Sequence, residues 1–423
     1  MKKELYNIYV QILKKELVPA MGCTEPIAIA YAAALAQEQL KEIVKRVEIL
    51  VSGNIIKNVK SVFVPNTGGL RGIAAAAAAG IVAGDASKEL EVISSVSEEQ
   101  HEKIKEFLEQ TEIEIKESDS GYIFDIDIVL YGENHKAHCR IAGQHTNVIY
   151  LGADDNVEIE RIYKEETGNA LNQHELLNVK DIVTFAQEVD IREVAETLDR
   201  QISYNMAIVK AGLEGEYGAR IGQILLKSYG DSVQNRAKAY AAAASDARMN
   251  GCSLPVIINS GSGNQGITAS VPVIVFAEDM QVSKEKLHRA LVISNLVTIH
   301  LKTGIGRLSA YCGAISAGCG AGAGITYLYG GQQKEIEHTI VNSLAINSGV
   351  ICDGAKSSCA AKIASAVEAG MLGMQMYFEG SQFYGGDGIV TKGVENTIEH
   401  VGRLARIGMA GTDKEIIHIM MEK

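Results

Sequence analysis

The stretch Leu308-Ser309-Ala310-Tyr311-Cys312-Gly313-Ala314-Ile315-Ser316-Ala317-Gly318-Cys319-Gly320-Ala321-Gly322-Ala323-Gly324-Ile325-Thr326-Tyr327-Leu328-Tyr329-Gly330-Gly331-Gln332-Gln333 carries no charged residue. As a helix it is long enough to cross a bilayer core of roughly 30 Å. Its composition argues against that, because seven glycines fall between Gly313 and Gly331 and Leu, Ile, Phe and Val are sparse, so insertion would be poor. The favoured reading is a buried helical region in which small residues allow close packing around something that must stay dry.

The rest of the chain has the same character. At about 150 residues per domain, 423 residues make two or three domains. The sequence is 47% hydrophobic but only 5% aromatic, with no Trp, 42 Gly and 5 Pro, so Ala and Gly do much of the packing. Forty Lys and Arg against 52 Asp and Glu give a net charge of −12, which disfavours a nucleic-acid partner. The N-terminus, MKKELYNIYVQILKKEL, mixes charge into its apolar pattern and carries no signal-peptide features, so a cytoplasmic protein with no membrane partner is expected. In that compartment seven cysteines are poor disulfide candidates.

Three zones follow from periodicity. Residues 1–45 read as two helices flanking the turn Val18-Pro19-Ala20-Met21-Gly22-Cys23-Thr24-Glu25-Pro26, with both helices packing on the helical domain. Residues 46–165 alternate apolar and polar positions at 46–51, 122–128 and 136–141. Between these lie an Ala-rich helix from about Arg71 and an amphipathic helix, Ser97 to Gln110. This zone predicts a small α+β domain with an antiparallel sheet. Residues 166–423 lose strand signals, and the 423 − 272 = 151 residues after Pro272 contain no proline, which predicts a larger helical domain. The fold class is therefore α+β.

Cys312 and Cys319, then Cys352 and Cys359, form two pairs with six intervening residues. This is neither a zinc-ribbon nor a ferredoxin spacing. The thiols are either a metal or cluster set that the fold brings together, or small buried hydrophobes. Cys352 is placed close before an Ala-rich helix, and Cys23 directly ahead of another, where a helix dipole favours a thiolate. Cys139 reads as core on its strand and Cys252 as structural. Ser260-Gly261-Ser262-Gly263-Asn264-Gln265-Gly266 and Pro65-Asn66-Thr67-Gly68-Gly69 are polar, glycine-rich lead-ins to helices, able to cradle a carboxylate or to act as plain caps. His145 is a loop histidine with acid/base, hydrogen-bonding or surface roles open.

Met21-Gly22-Cys23-Thr24-Glu25-Pro26, Asn259 to Gly266, Cys312-Gly313-Ala314 and Cys352-Asp353-Gly354-Ala355-Lys356, in that order, resemble the L-cysteine desulfidase family, which is related to the alpha chain of iron-sulfur L-serine dehydratase. The resemblance implies a 4Fe-4S cluster held by Cys312, Cys352 and Cys359, with Cys319 not a ligand. One iron is left open, since no cysteine follows Cys359. It also implies that Cys23 removes the α-proton of an amino-acid substrate. Cleavage of L-cysteine to sulfide, ammonia and pyruvate is then expected. Asn66, Thr67, His145, Ser260, Ser262, Asn264 and Gln265 are candidates for holding the substrate. Dehydration of L-serine by the same machinery is the alternative, and a non-enzymatic helical binding protein is a second. Pyridoxal phosphate chemistry has no convincing lysine context. The sequence leaves self-association open.

Overall fold

The computed structural model describes residues 1–163, 173–306 and 308–422, so the expected boundary at 165/166 lies outside the described residues. The N-terminal zone holds α1 (Lys3–Glu16), β1 (Pro19–Met21) and α2 (Thr24–Leu40). The sheet zone follows with β2 (Arg46–Val51), α3 (Gly53–Val59), α4 (Gly72–Ala83), α5 (Glu98–Gln110), β3 (Glu112–Glu117), β4 (Asp125–Tyr131), β5 (Lys136–Ala142), β6 (Val148–Ala153) and β7 (Asn156–Glu160). The amphipathic helix starts where its sequence places it, because the Ser97 hydroxyl and the Gln100 side chain satisfy each other's backbone N–H groups.

The sheet has the order β3-β2-β4-β5-β6-β7. Its neighbours are antiparallel except β2 and β3, which run parallel, since α3, α4 and α5 intervene and return the chain in the same direction. Ile126, Ile128, Leu130, Ala137, Cys139 and Ile141 face the core, so Cys139 is buried as expected. On the opposite face Arg140 makes a bidentate pair with Asp125 at 2.9 Å, and His138 pairs with Asp127 at 2.7 Å. The expected strand at 122–128 begins three residues later, because Ser118 and Ser120 tie the preceding turn to Asp125.

The N-terminal helices part company. α1 lies beside the later helical zone, whereas α2 lies across β4, β5, β6 and α4 and belongs to the sheet layer rather than to the helical domain.

The helical zone comprises α6 (Val179–Glu188), α7 (Ala195–Glu214), α8 (Ile221–Tyr229), α9 (Val233–Met249), β8 (Pro255–Ile257), α10 (Gly263–Asp279), α11 (Lys284–Ile305), α12 (Gly313–Leu328), α13 (Gln333–Asn347), α14 (Cys359–Phe378), α15 (Val394–Arg403) and α16 (Ala410–Met421). The uncharged stretch becomes α12, packed among α10, α11, α13 and α14. Glycine is required where α12 crosses α14: a Cβ on Gly318 would stand 2.3 Å from the Ala366 carbonyl oxygen, and one on Gly370 would stand 2.3 Å from that of Gly318. Among the described residues no helix is long and apolar enough to cross a membrane.

Candidate functional site

A strand pair brings distant turns together. β1 runs antiparallel to β8, with Pro19 opposite Ile257 and Met21 opposite Pro255. β1 leads into Gly22-Cys23. β8 is followed by a tight reversal in which Ser260 and Gly261 take left-handed backbone angles while Asn259 and Ser262 exchange backbone hydrogen bonds. The reversal is placed so that the Thr24 hydroxyl donates to the Gly261 carbonyl at 2.9 Å. The Pro65 ring lies against Gly22, where a Cβ would be only 2.8 Å from it. The three turns singled out in the sequence thus pack into one site.

Cys23 caps the N-terminus of α2 and is 4% exposed. Its thiol donates to Glu25 Oε2 at 3.0 Å. The Thr24 hydroxyl shares its one proton between this oxygen, at 3.2 Å, and the Gly261 carbonyl, and Asn58 donates to Oε1 at 3.0 Å. Burial, and then the Glu25 charge, push the Cys23 thiol well up, against the opposing pull of Arg248. The helix terminus expected to favour a thiolate is outweighed, and the resting group is the thiol. Burial works against the Glu25 carboxylate, but His145 and the Cys23 thiol hold it below its usual range.

Cys312 caps α12, Cys359 opens α14, and Cys352 lies on the loop between α13 and α14. The helix expected close after Cys352 starts seven residues on, at Cys359, because Gly354 at φ +93° turns the chain first. Tyr311 and Ile351 form a bridge in which the Cys312 N–H donates to Val350 O at 3.0 Å and the Cys352 N–H to Ala310 O at 2.7 Å. This sets the two thiols side by side. The neighbouring Cys312, helped by Lys57 and Lys302 and opposed by burial, lowers Cys352 to about 6. Cys352 in turn, with burial, pushes Cys312 up, and burial raises Cys359. All three remain partly exposed, whereas Cys139, Cys252 and Cys319 are buried. Cys23 packs with Val62 and Met249, and Cys359 and Ala355 close against that group. Arg248 senses both Cys23 and Cys359.

The remaining candidates divide. Asn66 Nδ2 donates to the carbonyls of Ile93 and Ser94 and so ties its turn to the 93–94 segment, whereas the Thr67 hydroxyl donates to Val64 O within the turn. His145 is buried edge-on to Phe124 and acts on Glu25. Ser260 donates to Asn259 Oδ1, and Asn264 is held by Ser245 and Met249. Ser262 caps α10 without a side-chain bond. Gln265 reaches Gly313 beside Cys312, and its Oε1 has no partner.

Sequence reading missed Asn58, Lys57 and Arg248. Lys57 is almost fully buried and pairs with Asp413 of α16. The one available signal was Arg248 itself, a cation closing the Ala-rich run Ala241 to Ala247.

Among the described residues no three His, Cys, Asp or Glu side chains close around a single metal ion. A cuboidal cluster asks for something different: one thiolate per iron facing a common space, which suits three cysteines with lysines nearby. Two surface depressions of about 430 and 540 Å³ lie elsewhere, lined by residues such as Arg192 and His288 or Gln37 and Glu42, and neither includes a site cysteine.

The family described as serine dehydratase alpha chain matches residues 87–418, and the chain belongs to that family. It is similar over nearly its whole length to proteins bearing the designation UPF0597. One from Desulfitobacterium hafniense is 58% identical over 99% of this chain and 97% of the relative. Another from Lachnoclostridium phytofermentans is 49% identical over 99% and 100%, and one from Treponema denticola is 46% identical over 99% of each.

Proposed function

We propose that the chain is a serine dehydratase-like lyase that uses an iron-sulfur cluster to cleave L-cysteine by α,β-elimination, with water completing the conversion to pyruvate, ammonia and sulfide. The observation that carries this reading is the packing of Cys359 against the small cluster that contains Cys23, in a site where the Tyr311–Ile351 bridge sets Cys312 beside Cys352. Family membership supports the lyase class.

Cys312, Cys352 and Cys359 would hold the cluster, which would supply an open Lewis-acid iron suited to a soft sulfur leaving group. The chain's own residues do the rest. Cys23 takes the α-proton once its thiol has given up its proton, for which Glu25 Oε2, at 3.0 Å, is the adjacent acceptor. Arg248 stabilises the resulting thiolate. Asn58 and Thr24 fix the Glu25 carboxylate. Burial of Cys23, Glu25 and Arg248 excludes water from the proton transfer.

L-serine is the alternative substrate, favoured by the family description. Protein purified without oxygen is expected to release sulfide and pyruvate in equal amounts from L-cysteine and to contain about four irons per chain. Pyruvate from L-serine with none from L-cysteine overturns the substrate, and an iron-free preparation active on either overturns the cofactor.

A further inference from the structure

Arg248 ends α9 at 2% exposure. Its Nε has no hydrogen-bond partner, and the groups that act on its charge are Cys23, Glu25 and Cys359. A buried cation left this way is costly unless an anion completes it. Glu25 and Cys23 act on the Arg248 charge, but the Glu25 oxygens take their hydrogen bonds from Cys23, Thr24 and Asn58, so Nε is left for another acceptor. The guanidinium lies across the first residue of α10: a Cβ on Gly263 would stand 2.2 Å from Nε. That end of α10 has no side-chain cap, so its leading backbone N–H groups are left for another acceptor. Helix N-terminal amides beside a guanidinium whose Nε has no partner form a receptor for a planar anion.

We infer that Arg248, together with the N-terminal amides of α10, binds the carboxylate of the amino-acid substrate and sets its Cα against Cys23. The inference rests on the lyase reading, since that is what gives the substrate a carboxylate. It makes Arg248 a specificity-determining residue: decarboxylated analogues lack the group that completes the site.

The test is binding, not turnover, by calorimetry on anaerobically purified protein. The probes are L-alanine, which lacks a leaving group, propionate, which lacks the ammonium, and ethylamine, which lacks the carboxylate. Arg248→Gln is expected to weaken L-alanine and propionate at least tenfold and to leave ethylamine unchanged. Arg248→Lys should lose less, because it keeps the charge without the fork. Gly263→Ala keeps the arginine but pushes it aside, and should reproduce the loss if Arg248→Gln does not fold. Unchanged L-alanine and propionate affinity in folded variants overturns the inference and leaves Arg248 as a partner of Cys23 alone. Absence of L-alanine binding to the unaltered protein also overturns it. Failure to cleave L-cysteine bears only on the proposed reaction, because L-alanine binding needs no leaving group.

Discussion

The Thr24 hydroxyl donates to the Gly261 carbonyl at 2.9 Å, joining two turns 237 residues apart. Through this bond the turn that carries Cys23 is held to the loop that starts α10. Replacing Thr24 by Val keeps the shape and removes the donor, leaving a buried carbonyl unpaired at a cost of about 1–2 kcal/mol. We expect Thr24→Val to lower the melting temperature and to raise KM for the amino acid, while Thr24→Ser restores both. Steady-state kinetics alongside thermal melts check this. A Val variant with unchanged KM would mean that the two turns hold their places without the bond.

Cys23 and Cys352 should separate cleanly by what is lost. Cys23→Ser removes the proposed base but no proposed ligand, so iron content and colour should persist while kcat falls by at least about a hundredfold. Cys352→Ala should lose iron and visible absorption together with activity. Iron analysis and absorption spectra on the two variants are the readout, and iron loss from Cys23→Ser would move that residue into the ligand set.

Much of the fold was legible because it rests on local signals. The Ser97 capping box, the alternation at Lys136 to Ile141 and the uncharged Gly/Ala run of α12 each declare their element within a few residues. The β1–β8 pair was not legible: each strand is three residues long and begins with a proline, and what joins them is a contact between distant parts of the chain. That pair also decides the site, which is why the motifs at Cys23 and Ser260 could be singled out but not brought together from spacing. At Asn66 and Thr67 spacing gives no guide either, since polar residues in a glycine-rich turn look alike whether they face a ligand or, as here, donate to backbone carbonyls. Arg248 could not be assigned because a cation on an Ala-rich helix that also carries Arg236 and Lys238 reads as surface until its burial is known.

Close approach of α12 and α14 sets the spacing between the thiols of Cys312 and Cys359, because each cysteine stands at the N-terminal end of one of these helices. Gly318→Ala would place a methyl group 2.3 Å from the Ala366 carbonyl oxygen, so the helices must separate. The expected cost is about 1–3 kcal/mol, as for other overpacked cores. Iron occupancy should fall although no cysteine has changed. Full iron content at a reduced melting temperature would show that cluster assembly tolerates the shift.

Asp246 gives the protein a pH dependence separate from the cysteines. Burial raises its carboxyl to about 6, against the opposing pull of the Gly222 N–H, which donates to Oδ2 at 3.2 Å. The unfolded chain releases this proton near the ordinary carboxylate value of about 3.9. Between those two values the native protein holds a proton that the unfolded chain has lost, so stability from this group is complete below about 4 and declines as pH rises towards 6. Above 6 the loss is constant. Asp246→Asn keeps an acceptor for Gly222 and removes the ionisation, so it should match the unaltered protein near pH 4 and exceed its melting temperature at pH 7 to 8. Thermal melts across that range decide the matter: a variant destabilised equally at every pH would show that the Asp246 carboxylate is held by contacts strong enough to offset its burial.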